Sequence, residues 1–236
     1  MPNPNKTPAT AKCKPEKPNP TATGQWSRDQ IAERLAVDIP EGWFVNLGIG
    51  LPLKVGDYVP DTREVIFHSE NGIVGMGPVA TGNEVDTWII NAGKQNVTLR
   101  TGAAIVHHAD SFGMIRGGHL DLCVLGAFEV AENGDFANWT VSLTGAVPAV
   151  GGAMDLAAGA KRVWAIMEHT SKDGKPKILA ECGMPLTAVK AIKRVYTNLA
   201  VLEVTPQGFT VIDRAPGVSF EELQAKTGAR LHTLVG

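Results

Sequence analysis

The chain has 236 residues, 44% hydrophobic and 19% charged, with a formal net charge of -2 from 22 basic and 24 acidic side chains. This length and composition suit an α/β domain with a sizeable core, and the balanced charge argues against a nucleic-acid surface. Three cysteines without close spacing argue against a disulfide framework or a zinc site, and no apolar run reaches bilayer length; a reducing, cytoplasmic setting is the expectation.

Residues 1–24 hold six prolines and four lysines but no arginine and no apolar core. Neither a signal nor a transit peptide is expected there, and the segment reads as a disordered, solvated tail. Residues 25–236 carry no low-complexity linker and no fixed-period repeat, so they are read as one domain. Ser27-Arg28-Asp29-Gln30 is a capping box that starts a helix with Ile31, Ala32 and Leu35 on one face, stopped by Pro40 and Gly42. Trp43 to Leu47 reads as a first strand, running into Gly48-Ile49-Gly50-Leu51-Pro52 and then a helix. A Gly-x-Gly turn of this kind suits a phosphate, although the third glycine of a dinucleotide fingerprint and the lysine-serine of a P-loop are missing.

Glu64 to Phe67 is a short apolar, β-branched run that reads as a buried strand and delivers Glu70 to its end. Three glycines then follow within six residues, and Pro78 closes the stretch. Ligands in open α/β sheets sit beyond the carboxyl ends of strands, and glycines there permit close approach. Glu70 is therefore placed as a working carboxylate, against the plainer alternative of an exposed acid in a hairpin. Trp88 to Ile90 reads as a third strand leading to Asn91-Ala92-Gly93-Lys94, where Lys94 is either a phosphate ligand or a solvated surface charge.

His107-His108-Ala109-Asp110 suggests metal ligands at first sight. In a strand, however, neighbouring side chains point to opposite faces, and no further ligand grouping supports an ion, so no metal is expected. Leu120 to Gly126 is a buried strand whose glycine end forms a second rim of the same cleft. Gly151-Gly152 opens a short helix and offers backbone N–H groups to an anion or oxyanion. Arg162 to Met167, Arg194 to Tyr196, Ala200 to Val204 and Phe209 to Ile212 are further strands, and Ser219-Phe220-Glu221-Glu222 is a second capping box before a last helix that Gly228 ends.

Ser69-Glu70-Asn71-Gly72 followed by Gly75-Met76-Gly77-Pro78 resembles the catalytic motif of the β subunit of family I (3-oxoacid) CoA-transferases. Asn46 to Pro52, Ile90 to Lys94, Asp110-Ser111-Phe112, Met114 to His119, Ala137-Asn138-Trp139, Gly151 to Leu156 and Pro185-Leu186-Thr187 resemble that subunit too, in the same order. The likeness covers about residues 25–232, and the tail departs from it. His107 to Asp110, Leu125 to Phe128 and Ala200 to Pro206 look most similar to the 3-oxoadipate branch, with the acetoacetate branch close behind.

The resemblance implies an open, mostly parallel sheet flanked by helices, of the NagB/RpiA/CoA-transferase type. It implies transfer of CoA from succinyl-CoA to a 3-oxoacid through a glutamyl-CoA thioester on Glu70, with CoA as a substrate and no bound cofactor or metal. It also implies a separate α subunit that supplies part of the site, in an α2β2 heterotetramer. A carboxylate nucleophile fits this chemistry, because covalent catalysis splits one hard exchange into easier steps and a dry site protects the intermediates. Asn71 and Gly72 are expected to shape the floor of the site, Gly151 and Gly152 its oxyanion wall, and Gly48, Gly50 and Lys94 the CoA side. Arg116 is available to a second acceptor carboxylate. A non-catalytic CoA-binding subunit and a metal hydrolase built on His107, His108 and Asp110 are the other readings.

Overall fold

The computed structural model describes residues 24–141, 143–144 and 148–233. All of the expected N-terminal tail except Gly24 lies outside the described residues. In chain order the strands and helices are α1 (Arg28–Val37), β1 (Phe44–Leu47), β2 (Ile66–Ser69), β3 (Ile73–Val79), β4 (Val97–Ile105), α2 (His108–Arg116), β5 (Leu122–Leu125), β6 (Glu129–Ala131), β7 (Phe136–Ala137), α3 (Ala153–Gly159), β8 (Val163–Met167), β9 (Ile178–Leu179), β10 (Ile192–Thr197), β11 (Ala200–Thr205), β12 (Gly208–Arg214), α4 (Phe220–Ala225) and β13 (Leu231–Thr233). Ten strands make one sheet in the order β13-β12-β11-β10-β8-β5-β1-β2-β3-β4, and β7-β6-β9 make a small second sheet. The centre from β10 to β2 is parallel, while β3 and β4 at one end and β11 and β12 at the other run antiparallel to their inner neighbours.

A parallel centre must be covered on both faces, and the strand sequences show how. Along β5, Cys123 and Leu125 join one apolar core while Leu122 and Val124 join the other. Along β8, Val163, Ala165 and Met167 alternate in the same way with Trp164 and Ile166. On one face α1 buries Ile31, Ala32, Leu35 and Ala36. On the other, Ile115 of α2, Leu156 of α3 and Leu223 of α4 pack with the small sheet's Val130, Phe136 and Ile178.

The capping box at Ser27 is formed reciprocally, Gln30 N–H to Ser27 Oγ at 3.2 Å and Ser27 N–H to Gln30 Oε1 at 2.8 Å. Ser219 caps α4 through Glu222 N–H at 3.0 Å, but the return half of that box is not made, because the Glu222 carboxylate pairs with Lys226 one turn on at 2.6 Å. The helix expected after Gly50 is a 3-10 helix, Leu51–Tyr58. Two expectations are corrected. Trp88 to Ile90 is not a strand: Ile90 makes one isolated bridge to Asn96 across a tight turn, and Trp88 is exposed. His107 and His108 are not in a strand either. His107 is the N-cap of α2, its Nδ1 accepting from Ala109 N–H at 3.2 Å, so the opposite-faces argument does not apply to this pair.

Candidate active site at the carboxyl ends of the central strands

β2 and β3 are joined by a tight hairpin in which Ser69 pairs with Ile73, and Glu70 sits at its tip. The hairpin depends on Gly72. Its N–H bonds Ser69 O at 2.9 Å, its φ is +121°, and a Cβ there would run into the Val106 carbonyl oxygen, a combination open only to glycine. Asn71 Nδ2 donates to Ile90 O at 2.8 Å and Ala92 N–H donates to Ser69 Oγ at 2.9 Å, which ties the following loop to the hairpin.

What separates Glu70 from an ordinary hairpin acid is what lies over it. α2 and α3 pack together, clasped by Arg116 and Asp155 at 2.7 Å, with Arg116 also over the Phe112 ring at 5.6 Å. Gly152, the N-cap of α3, comes so near that a Cβ on it would collide with Glu70 Oε2 and stand 3.1 Å from both Glu70 Cδ and Phe112 Cζ. Glu70 is half-buried, and its carboxylate accepts no hydrogen bond among the described residues. Burial raises its pKa above the ordinary glutamate value of 4.5; the nearby His108 partly offsets this and the Asp155 charge adds to it.

Behind the hairpin runs a buried polar chain. β1 lies between β2 and β5, so Asn46 stands beside His68 on one side and Cys123 on the other. Asn46 Nδ2 donates to His68 O at 3.2 Å and faces His68 Nδ1 at 3.0 Å, His68 Nε2 lies 2.9 Å from Ser111 Oγ, and Ser111 Oγ donates to the Glu70 carbonyl at 2.7 Å. With an amide donating to Nδ1, the ring proton sits on Nε2 and every group in the chain is satisfied. Burial lowers the His68 pKa to about 4, so the ring is neutral at physiological pH. Burial first, and the Glu70 charge second, push the Cys123 thiol well above its ordinary range, so it remains an unreactive core thiol.

Glu70 opens on a cavity of about 620 Å³ at the carboxyl ends of the parallel strands. Gly48 to Pro52 follow β1, Gly126 to Phe128 follow β5 and Glu168 follows β8, and all of them line it together with Gly151 and Gly152. The fold thus brings Glu70, Gly48, Gly50, Gly151 and Gly152 to one cavity. Asn71, Gly72 and Lys94 do not line it: the first two build the hairpin, and Lys94 sits in the neighbouring turn at φ +63° with its N–H on Asn91 O at 2.9 Å. Arg116 is not a lining residue either, being committed to Asp155. Among the described residues, no group of three His, Cys, Asp or Glu is arranged to hold a metal, and no helix is long and apolar enough to cross a membrane.

Sequence reading missed Asn46, His68 and Ser111 as a set, and it missed Arg28, Glu168 and Lys177 on the cavity wall. Alternation past Phe67 would have put His68 on the face opposite that core residue, a signal of an interior histidine. Lys177 lies in a polar stretch and carries no local signature.

The profile of the family described as coenzyme A transferase matches residues 28–226. The chain is 54% identical to the B subunit of 3-oxoadipate CoA-transferase from Acinetobacter baylyi, over 87% of this chain and 94% of that one. It is 44% identical to the B subunit of succinyl-CoA:3-ketoacid coenzyme A transferase from Helicobacter pylori, over 86% of this chain and 97% of that one. Among solved structures, glutaconate coenzyme A-transferase from Acidaminococcus fermentans superposes with a TM-score of 0.65 at 15% identity, covering 87% of this chain and 86% of that one. An acyl-CoA transferase from Escherichia coli O157:H7 gives 0.67 at 23%, covering 88% of this chain and 42% of that one. These two likenesses bear on the fold.

Proposed function

Because the chain belongs to the coenzyme A transferase family, we propose that it is the β subunit of an enzyme that moves CoA from succinyl-CoA to 3-oxoadipate through a thioester on Glu70. The observation that carries this reading is the Glu70 carboxylate itself: half-buried, free of hydrogen bonds among the described residues, and open to a cavity walled by glycines. The 54% identity to 3-oxoadipate enzymes, against 44% to a succinyl-CoA:3-ketoacid enzyme, supports 3-oxoadipate over acetoacetate.

In this reading ionised Glu70 attacks the thioester carbon of succinyl-CoA, the C–S bond breaks, and CoA leaves as thiolate from an acyl-glutamyl anhydride. The thiolate attacks the Glu70 carbonyl and succinate departs, leaving Glu70 as the CoA thioester. The carboxylate of 3-oxoadipate then attacks that thioester, and the thiolate returns to the new acyl group. No electron pair or proton is left over, so the exchange calls for no redox cofactor. Desolvation strengthens the glutamate as a nucleophile, and exclusion of water once the substrate and the α partner are in place would protect anhydride and thioester from hydrolysis. The backbone N–H groups of Gly151 and Gly152 are the donors proposed for the oxyanion, an arrangement worth roughly 10²–10³ in rate per donor. Gly48 and Gly50 border the CoA side. The relatives are named as one subunit of their enzymes, which supports an α partner; an α2β2 assembly in which that partner completes the site, in a reducing cytoplasm, is part of the proposal.

The test is hydride trapping. The chain assembled with its α partner and incubated with succinyl-CoA should lose activity on treatment with tritiated borohydride, with the label on Glu70. Glu70→Ala should neither exchange nor label. Full exchange by Glu70→Ala would overturn the assignment.

A further inference from the structure

The cations on the cavity wall are Lys177 and Arg28. Lys177 is half-buried, and its ammonium makes no ion pair or hydrogen bond among the described residues. Its backbone is held at both ends: Lys177 N–H bonds His169 O at 3.1 Å and Lys177 O accepts from Val130 N–H at 3.0 Å. The side chain therefore starts from a fixed point beside the end of β8. Its titratable neighbours give it no direct ion pair, although the Glu168 charge acts on it from a distance. Glu168 stands beyond ion-pair distance from Lys177 and lies 3.9 Å from Arg28 at the exposed rim. His169 is buried between Thr197 Oγ1 at 3.0 Å and Thr227 Oγ1 at 2.9 Å, and burial, with the Lys226 and Lys177 charges behind it, lowers its pKa to about 4, so the ring is neutral. Burial also lowers the Lys177 pKa, and the Glu168 charge partly offsets this.

A dicarboxylic acyl group presents this cavity with an unmet charge. One of its carboxylates would react at Glu70, which leaves the other to be placed in a space lined largely by apolar side chains such as Leu125, Ala127, Phe128 and Ile166. Resting on the transferase reading above, we infer that Lys177, with Arg28 at the rim, is the anion-binding end of the Glu70 cavity and holds the remote carboxylate of a dicarboxylic substrate. The same chemistry would serve a CoA phosphate, so the test separates the two sources.

The assembled αβ enzyme is titrated by calorimetry with adipate, with hexanoate as the monocarboxylate of equal length, and with adenosine 3',5'-bisphosphate as the phosphate probe. Lys177→Met should weaken adipate about tenfold, the loss expected for one charge-assisted contact, and leave hexanoate and the bisphosphate within about twofold. Lys177→Arg should restore most of the adipate affinity, which a folding defect would not allow. Unchanged adipate affinity in Lys177→Met, or a loss confined to the bisphosphate, would overturn the inference. A wild-type complex that neither exchanges CoA nor traps at Glu70 would defeat the underlying reading instead.

Discussion

Gly152 shows how a single hydrogen atom in place of a methyl group makes room for a carboxylate. Its φ of -80° is ordinary for any residue, so alanine is conformationally welcome there, yet its Cβ would occupy the space of Glu70 Oε2. Gly152→Ala should fold with little change in melting temperature and lose about 10²-fold in kcat, because the carboxylate must move. Gly151 is the reverse case: φ is +63° and a Cβ there meets nothing within 4 Å. Gly151→Ala should cost about 1 kcal/mol of stability and keep most of the rate. Melting curves and steady-state rates on both variants distinguish a steric role from a conformational one. The raised Glu70 pKa also fixes a sign. In the proposed mechanism the ionised acid attacks, so activity should fall on acidification at a higher pH than for an exposed glutamate. Asp155→Asn removes a charge that raises that pKa, so the acid limb of the kcat/KM profile should shift to lower pH.

At the scale of elements, the site is a β-hairpin braced from behind and roofed from in front. The chain Asn46–His68–Ser111 connects β1, β2 and α2 to the Glu70 carbonyl, and the α2–α3 pair covers the carboxylate. α1 contributes more remotely, through its start. Ser27 caps it and Arg28, the first residue after the cap, reaches the cavity rim. Ser27→Ala should destabilise the protein by about 1 kcal/mol, a fall of roughly 2–4 °C in melting temperature for a chain of this size. The elements that local pattern indicates, α1, β1, β2, β5, α3, β8, β10 to β12 and α4, are those with a cap or a dense apolar run. β4 escapes that pattern because its residues alternate weakly and most are partly or fully exposed. α2 escapes it because two histidines and a mid-helix glycine obscure its apolar spacing.

At the scale of the whole molecule, two neutral histidines lie in the interior among the described residues, His68 in β2 near Glu70 and His169 beyond β8, each with a pKa of about 4 against an ordinary 6.5. The folded form binds fewer protons than the unfolded chain between those values, so stability is fully present above about 6.5 and falls as pH drops toward 4. Each should contribute on the order of 1–3 kcal/mol to that loss. His169→Gln, which keeps hydrogen-bonding capacity beside Thr197 and Thr227 but does not titrate, should flatten the dependence in denaturant melts taken across this range. The sequence by itself determined the class of fold, the strand that carries Glu70, the glycine turns around it and the family, since each of these is written in local spacing and in co-linear motifs. Tertiary structure alone decided that Glu70 is roofed rather than exposed, that Lys94 and Arg116 stand outside the cavity, and that Lys177 stands on its wall. Those outcomes depend on which strand ends meet when the sheet closes its parallel centre, and a pairing such as that of Val45 with Leu122, far apart in the chain, leaves no trace in local pattern.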